Sequence, residues 1–257
     1  MIDVIGLVPA AGLANRISPL PCSKEVFPLS QGPVNSSQAF RPAVAGSFLL
    51  RKLRNAGVRK AFLILRKGKW DIPQYFGDGT VVDMNLGYLI MGDPHGVPFT
   101  INQGYPFVED KLVAFGFPDI LYPEEQSYRQ LLEYQARSEA DVVLGLFPVG
   151  RRQIMADRVL SEQSGHILEI QLASKQLAMT HTWGLAVWTP CFSQFLHELI
   201  DQVRGEASQR SEWTMSEVIN KGIQSGLKVH GITVSLQPFL DIGTPEGLAE
   251  AMFRYAG

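Results

Sequence analysis

Short apolar runs alternate with stretches of helical periodicity along this chain, and this alternation limits the folds available to it. The apolar runs lie at Val4–Pro9, Ala61–Leu65, Lys111–Phe117, Asp141–Val149, Gly184–Thr189 and Lys228–Val234. Apolar residues at helical spacing occur in Val44–Ala56, Glu125–Ser138 and Trp213–Ser225. Strands that alternate with helices are typical of a mostly parallel sheet. We therefore predict an α/β protein with a Rossmann-like, mostly parallel sheet and helices on both faces.

Most of these apolar runs are continuous, as expected of strands that are buried on both faces. The stretch between Met155 and Thr182 is more polar, and we expect loops or short antiparallel strands there. The chain has 257 residues and no linker rich in Gly, Pro or Ser. We therefore expect a single domain over 1–257, with a small polar lobe or insertion within about 151–182. In such sheets the functional side chains follow the carboxyl ends of the strands.

The charge and cysteine counts exclude several classes of protein. Lys and Arg number 23 and Asp and Glu 25, for a net charge of -2, so neither nucleic acid nor a membrane is expected as a partner. Two cysteines, Cys22 and Cys191, form neither a disulfide framework nor a four-ligand zinc set. Met1–Ile5 lacks the basic segment of a signal peptide, and no apolar run approaches the roughly 20 residues of a spanning helix. We expect a soluble, cytoplasmic protein; the sequence leaves open whether it forms a homo-oligomer.

The loop after the first apolar run is built almost entirely from small residues. It comprises Ala10, Ala11, Gly12, Leu13, Ala14 and Asn15. Small side chains let backbone N–H groups approach a ligand closely, as in loops that hold phosphates. Arg16 and Lys24 supply cations that can neutralise phosphate charge. The chain shows neither P-loop nor G-x-G-x-x-G spacing here, and a tight turn with solvated basic residues is the alternative interpretation.

A longer string connects this loop with a known family. Leu7–Arg16, Ser18–Pro21 and Ser23–Leu29 together resemble the opening of the sugar-1-phosphate nucleotidyltransferases. This sequence is most similar to that of the bacterial UTP–glucose-1-phosphate uridylyltransferases and their thymidylyltransferase relatives. The resemblance implies the nucleotide-diphospho-sugar transferase, GT-A-like form of the α/β fold. It also implies that residues 10–15 wrap a nucleoside triphosphate, that Arg16 holds its phosphates and that Lys24 stabilises charge at the reacting phosphorus.

Two aspartates that follow apolar runs are candidate ligands for Mg²⁺, which prefers carboxylate, phosphate and water oxygens. Asp119 follows Val113–Pro118, where the family carries a metal-binding Asp after Gly. Asp241 opens Asp-Ile-Gly-Thr-Pro-Glu, which is similar to the family's Asp-x-Gly-Thr-Pro-Glu. Thr244 also suits a helix N-cap followed by proline at the first helical position. The alternative for Asp241 is therefore a loop acid that precedes a well-capped helix.

The resemblance also supplies candidates for the sugar and the base. Gly184 resembles the glycine that lets a sugar lie against a strand, and Glu169 resembles an acid that reaches sugar hydroxyls. The family's next Lys, which binds the sugar phosphate, has no counterpart in Glu169-Ile170-Gln171. Lys175 is a candidate replacement, with a solvated surface amine as the alternative. Gln103 is the candidate contact for a base edge, in a stretch that is shorter than the family's base-recognition segment.

Three functions are compared on these residues. The leading hypothesis is Mg²⁺-dependent transfer of a nucleotidyl group from a nucleoside triphosphate, UTP or dTTP, to a sugar 1-phosphate. The products are an NDP-sugar and pyrophosphate, which places the protein in nucleotide-sugar biosynthesis. The alternative is a non-catalytic homologue that binds a nucleotide or sugar phosphate as a sensor or regulator. The absent G-x-G-x-x-G spacing disfavours a dinucleotide-binding oxidoreductase.

Overall fold

The computed structural model describes residues 3–31, 42–92, 95–150, 153, 156–173, 179–205 and 212–255. The strands are β1 Val4–Pro9, β2 Pro28–Gln31, β3 Pro42–Val44, β4 Lys60–Arg66, β5 Asn85–Met91, β6 Leu112–Gly116, β7 Ile120–Leu121, β8 Val142–Pro148, β9 Arg158–Ser161, β10 Ile167–Gln171, β11 His181–Trp188, β12 Val229–Thr233 and β13 Leu240–Asp241. The α-helices are α1 Ala45–Asn55, α2 Asp71–Phe76, α3 Val97–Asn102, α4 Tyr105–Val108, α5 Ser127–Ser138, α6 Pro190–Val203, α7 Met215–Gln224 and α8 Pro245–Tyr255. Short 3-10 helices cover Lys24–Val26 and Thr80–Val82.

Seven strands form the central sheet, in the order β12-β8-β11-β6-β1-β4-β5. The pairs β12–β8, β6–β1, β1–β4 and β4–β5 are parallel. Strand β11 runs antiparallel to both of its neighbours, β6 and β8. The predicted mostly parallel α/β sheet is therefore confirmed, with one reversed strand near its centre.

Helices cover both faces of this sheet, which explains the continuous apolar runs. Ile5 and Leu7 of β1 face one core, which also contains apolar residues of α3, α6 and α7. Val8, from the same strand, faces a second core with residues of α1, α2 and α5. Successive side chains of a strand point to opposite faces. Both faces of β1 are thus buried, and an alternating polar pattern has no place there.

The polar stretch after β8 forms a small antiparallel hairpin, β9–β10. Asn220 of α7 fixes this hairpin by two hydrogen bonds with Ile170, accepting from its N–H at 2.8 Å and donating to its carbonyl at 2.7 Å. Ile167 and Ile170 are buried in the main core. The hairpin is therefore attached to the main body by its apolar face. Lys175 lies outside the described residues. None of the described helices has the length and apolar character to span a bilayer.

Candidate active site

The carboxyl edge of the sheet brings two distant loops together. Strand β1 ends at Pro9 and leads into the small-residue loop, while β6 ends at Gly116, shortly before Asp119. The short strands β7 and β13 then pair in antiparallel fashion, with Asp241 opposite Ile120. The Ile242 N–H also donates to the Asp119 carbonyl at 3.0 Å. This backbone pairing places the two predicted metal ligands side by side.

Four charged side chains meet at this edge, and we call Arg16, Lys24, Asp119 and Asp241 the charged quartet. Lys24 Nζ lies 2.5 Å from Asp119 Oδ2, and Arg16 Nη2 lies 3.3 Å from Asp241 Oδ2. Gly243 sits between the two pairs. A Cβ at Gly243 would lie 2.9 Å from Asp241 Oδ1, 3.1 Å from Arg16 Nη2 and 3.4 Å from Asp119 Oδ2. The residues predicted to act together are therefore assembled around a position that only glycine leaves open.

The turn after Asp241 has the local geometry expected from its sequence. Thr244 donates its hydroxyl to the Asp241 carbonyl at 3.1 Å and accepts from the Gly247 N–H at 3.1 Å, as an N-cap of α8 does. The Gly243 N–H donates to Asp241 Oδ1 at 2.7 Å. A Cβ at Gly247 would lie 1.8 Å from the Asp241 carbonyl oxygen. The turn thus holds Asp241 Oδ1 by its own backbone, while Asp241 Oδ2 pairs with Arg16 in the cleft.

Burial and neighbouring charges shift the pKa values of Lys24 and Asp241. Burial lowers the pKa of Lys24, but the carboxylates of Asp119, Glu25 and Asp241 outweigh it, so the pKa stands above its usual value. Burial and the Asp119 carboxylate raise the pKa of Asp241, against the Gly243 N–H and the two cations. Two carboxylates held this close are stabilised by added positive charge. The Asp241 carboxylate therefore depends on nearby positive charge, which Arg16 and Lys24 supply.

The donor chemistry of the two aspartates fits Mg²⁺. Both offer hard carboxylate oxygens, the ligands that this ion prefers, and Mg²⁺ normally keeps phosphate and water ligands as well. No group of three or more metal-ligating side chains occurs among the residues that the structure describes. Asp119 and Asp241 would therefore fill two positions, and the ligand and water would supply the rest.

The small-residue loop forms the floor of a cavity of about 420 Å³ beside the quartet, which we call the loop-side cavity. Pro9, Ala11, Gly12 and Leu13 line it. A Cβ at Gly12 would lie 3.9 Å from Lys24 Nζ, so the loop backbone faces the ammonium group. Ala14 adopts a left-handed conformation, with φ of 56°, and its carbonyl accepts from the Ile17 and Ser18 N–H groups. Ala10 is buried below the loop; Ala10, Ala14 and Asn15 are not among the described residues that line the cavity.

A second cavity of about 810 Å³, the hairpin-side cavity, opens beside the first. Its wall carries Asp157 from the start of the hairpin, Trp183 from β11, and Trp213 and Ser216 at the start of α7. The two cavities share Arg16, Val97, Phe117, Glu212, Phe239 and Asp241. Arg16 and Asp241 therefore line both compartments of one cleft, whereas Lys24 and Asp119 line the loop-side cavity and not the hairpin-side cavity.

Three predicted residues lie elsewhere. Gln103 is exposed at the end of α3, where its amide donates to the Phe99 carbonyl at 3.5 Å. Glu169 is exposed on β10. Neither is among the described residues that line the two cavities. A Cβ at Gly184 would lie 3.3 Å from ring atoms of Phe147 and Phe239, so this glycine makes room for the aromatic wall behind the cleft.

Sequence reasoning missed the wall that the start of α3 contributes. Gly96, Val97 and Thr100 line the loop-side cavity, one turn before the predicted Gln103. Gly96 has a φ of 108°, and a Cβ there would lie 2.1 Å from the Trp213 carbonyl oxygen. Glycine is therefore required by both the backbone conformation and the close approach. The signal was present as Gly-Val-Pro, a glycine followed by proline in the first helical turn.

Comparisons with known proteins agree with this architecture. No family model matches the chain. The low-salt glycan biosynthesis nucleotidyltransferase Agl11 of Haloferax volcanii is 21% identical over 250 residues, which cover 96% of this chain. The chain spans 64% of the length of that protein.

Solved structures are similar over nearly the whole chain. A putative glucose-1-phosphate thymidylyltransferase from Bacillus anthracis, in complex with a sucrose, has a TM-score of 0.81 at 17% identity, covering 98% of this chain and 95% of its own. A UDP-glucose pyrophosphorylase complexed with UDP-glucose has a TM-score of 0.73 at 15% identity, covering 99% and 98%. UTP-bound UGPase from Acinetobacter baumannii has a TM-score of 0.74 at 17% identity, covering 99% and 93%. The sequence resemblance is thus confirmed in the fold, which this chain shares with a thymidylyltransferase and UDP-glucose pyrophosphorylases.

Proposed function

We propose that the protein transfers a nucleotidyl group from a nucleoside triphosphate to a sugar 1-phosphate, giving an NDP-sugar and pyrophosphate. The observation that carries this proposal is the charged quartet, whose four members line the loop-side cavity and of which Arg16 and Asp241 also line the hairpin-side cavity. Transfer of this kind needs little covalent chemistry from the protein; it needs two substrates in line and compensation of phosphate charge. The names of the relatives support the same reaction class.

The loop-side cavity suits the triphosphate. Its floor presents loop backbone, and Arg16 and Lys24 stand at its rim. In the proposed reaction, an oxygen of the sugar phosphate attacks the α-phosphorus, a new P–O bond forms and the bond to the pyrophosphate leaving group breaks. Lys24 and Arg16 stabilise the negative charge on the phosphate oxygens during this step. The resemblance favours UTP or dTTP as the triphosphate.

The pairing within the quartet suggests how substrate binding engages it. Each cation now neutralises one carboxylate, Lys24 with Asp119 and Arg16 with Asp241. Asp119 and Asp241 would hold Mg²⁺, which, when bound, would neutralise charge on the phosphate oxygens. With a cation on the two carboxylates, the ammonium and guanidinium groups would turn towards phosphate. The carboxylates thus keep both cations in place until the triphosphate arrives.

The test is a screen of nucleoside triphosphates against sugar 1-phosphates with Mg²⁺, with pyrophosphate release as the measurement. We expect turnover with UTP or dTTP. Lys24→Met should lower turnover by at least about a hundredfold, because it removes a charge aimed at the reacting phosphates. Lys60→Met is the matched control, because Lys60 pairs with Asp3 on the exposed surface.

Binding separates the enzyme from the sensor. A triphosphate that binds only the folded state raises the melting temperature whether or not chemistry follows. A rise without pyrophosphate release for any substrate pair would favour the non-catalytic alternative. No turnover, together with equal triphosphate binding by the parent protein and Asp241→Asn, would refute the proposed site.

A further inference from the structure

The hairpin-side cavity has a largely apolar wall that also carries four acidic residues, Asp157, Glu212, Asp241 and Glu246. Trp183, Trp213, Phe117 and Phe239 supply aromatic surface to this wall. Asp157, the residue that precedes β9, lines the same cavity. A carboxylate beside so much apolar surface is costly unless hydrogen bonds hold it. The contacts of Asp157 therefore indicate what the cavity is built to receive.

A chain of hydrogen bonds fixes this carboxylate. Trp183 Nε1 lies 2.9 Å from Ser216 Oγ, and Ser216 Oγ lies 2.6 Å from Asp157 Oδ2. An indole N–H only donates, so the Ser216 hydroxyl accepts from Trp183 and donates its own proton to Asp157. The Ala173 N–H donates to Asp157 Oδ1 at 2.9 Å. Ser216 is 1% exposed and Trp183 is 7% exposed, so the contact between them is buried, whereas the contact of Asp157 with the Ala173 N–H lies at the exposed surface.

The direction of these hydrogen bonds makes Asp157 an acceptor. Each carboxylate oxygen has about two lone-pair directions, and the donors named above use one on each oxygen. The remaining acceptor capacity faces a cavity whose wall holds the indole of Trp183 a few ångströms away. A ligand that complements this wall has a donor group at Asp157 and an apolar face on the aromatic rings. Sugars combine both, since hydroxyls ring the edge of the molecule while C–H groups form its faces.

We propose that Asp157, held by Ser216 and Trp183, is a specificity-determining residue that accepts a hydrogen bond from one hydroxyl of the sugar phosphate. This inference rests on the proposed function, because it assigns the acceptor sugar to the hairpin-side cavity. It selects a neutral sugar ring at this point of the wall. A sugar with a carboxylate or a second phosphate facing Asp157 is rejected by like-charge repulsion.

Binding is measured first, by tryptophan fluorescence of the full chain during titration with the 1-phosphates of glucose, galactose, mannose and N-acetylglucosamine. Trp183 and Trp213 line the cavity, so occupancy changes their emission. We expect Asp157→Asn to weaken binding of the preferred sugar phosphate by about tenfold to a hundredfold, the range for loss of a hydrogen bond to a charged group. Asp110→Asn is the matched control, because Asp110 pairs with Lys111 on the surface.

Monodeoxy analogues of the preferred sugar 1-phosphate identify the contacted hydroxyl. In the parent protein one of them should bind about tenfold or more weakly, and in Asp157→Asn the same analogue should lose nothing further. Ser216→Ala should also weaken sugar-phosphate binding, because it frees the carboxylate. In turnover, Asp157→Asn should raise KM for the sugar phosphate while KM for the triphosphate stays unchanged. The melting temperature of each variant verifies that it is folded.

The outcomes separate this proposal from the proposed function. Equal sugar-phosphate affinity in the parent protein and Asp157→Asn overturns the assignment, even if the enzyme turns over. Failure of every sugar phosphate in the panel to bind the parent protein also overturns it. Binding that depends on Asp157 without pyrophosphate release supports the assignment and refutes the nucleotidyl transfer.

Discussion

Gly243→Ala should lower the rate of the proposed nucleotidyl transfer while leaving the fold intact. The added Cβ would lie 2.9 Å from Asp241 Oδ1 and 3.1 Å from Arg16 Nη2. Ordinary contact distances begin near 3.5 Å, so these groups must retreat by about half an ångström. Both are ends of side chains that can move, and we expect a stability change within about 1 kcal/mol. A misplacement of about 1 Å can cost a hundredfold in rate, so a shift of about half that size should lower turnover by about tenfold.

The assay is the initial rate of pyrophosphate release at saturating substrates, with denaturant unfolding measured in parallel. Gly92→Ala is the matched control, because a Cβ at Gly92 meets no atom within 4 Å. The control should keep its rate and its free energy of unfolding. If Gly243→Ala is as active as the parent protein, the quartet does not act as one unit around Gly243. A lower rate in Gly243→Ala that comes with a large loss in the free energy of unfolding would also contradict the proposed cause, because unfolding would then explain the lower rate.

Three further predictions concern stability. Lys69→Met should lower the free energy of unfolding by about 3–5 kcal/mol in denaturant titrations, because it leaves the buried Glu25 without its partner at 2.7 Å. Ala14→Gly should raise it by about 0.5–1 kcal/mol, since Ala14 has φ of 56° and glycine avoids the steric cost. Burial, His166 and Lys228 lower the pKa of His230 from 6.5. Below pH 6.5 the unfolded chain binds a proton at His230 more readily than the folded chain does. The free energy of unfolding should therefore fall as the pH falls through 6.5, and it should fall less in His230→Gln.

Each of these stability predictions has an outcome that contradicts it. A neutral Lys69→Met variant would mean that Glu25 finds another partner or accepts a proton at little cost. A loss of stability in Ala14→Gly would mean that the alanine methyl contributes more than its backbone strain removes. Identical pH profiles for the parent protein and His230→Gln would show that His230 does not cause the loss of stability.

The central strands were predictable because burial on both faces leaves a strong sequence signal. Runs such as those of β4 and β8 are continuous, apolar and bounded by turns. Strand β5 was missed because it lies at one edge of the sheet, is half-exposed along its length and is interrupted by Gly87. A phenylalanine ring covers that glycine: a Cβ there would lie 2.7 Å from atoms of Phe62. An edge strand can thus lose the pattern that identifies central strands, whereas β12 at the other edge keeps the apolar run Lys228–Val234 that predicted it.

The two parts of the cleft also differ in how far the sequence predicts them. The residues of the charged quartet follow strands in recognisable motifs, so their proximity could be expected, and the structure brings them together. Asp157 and Ser216 lie 59 positions apart and meet only because the hairpin packs on α7. No local sequence pattern predicts such a contact. The predictions for Gln103 and Glu169 came from alignment with motifs that this chain carries only in part.

The reversed strand β11 has a consequence for how such a cleft can diversify. Because it runs against its neighbours, its first residue, His181, pairs with Pro148 at the end of β8. The connection between β8 and β11 therefore leaves and re-enters the sheet at one rim, beside the site. Changes in this connection leave the strand order and the opposite rim as they are, provided that Ile167 and Ile170 keep their places in the core. For the proposed nucleotidyl transfer, the hairpin-side cavity can thus be rebuilt by changes in a single insertion, while the charged quartet stays as it is.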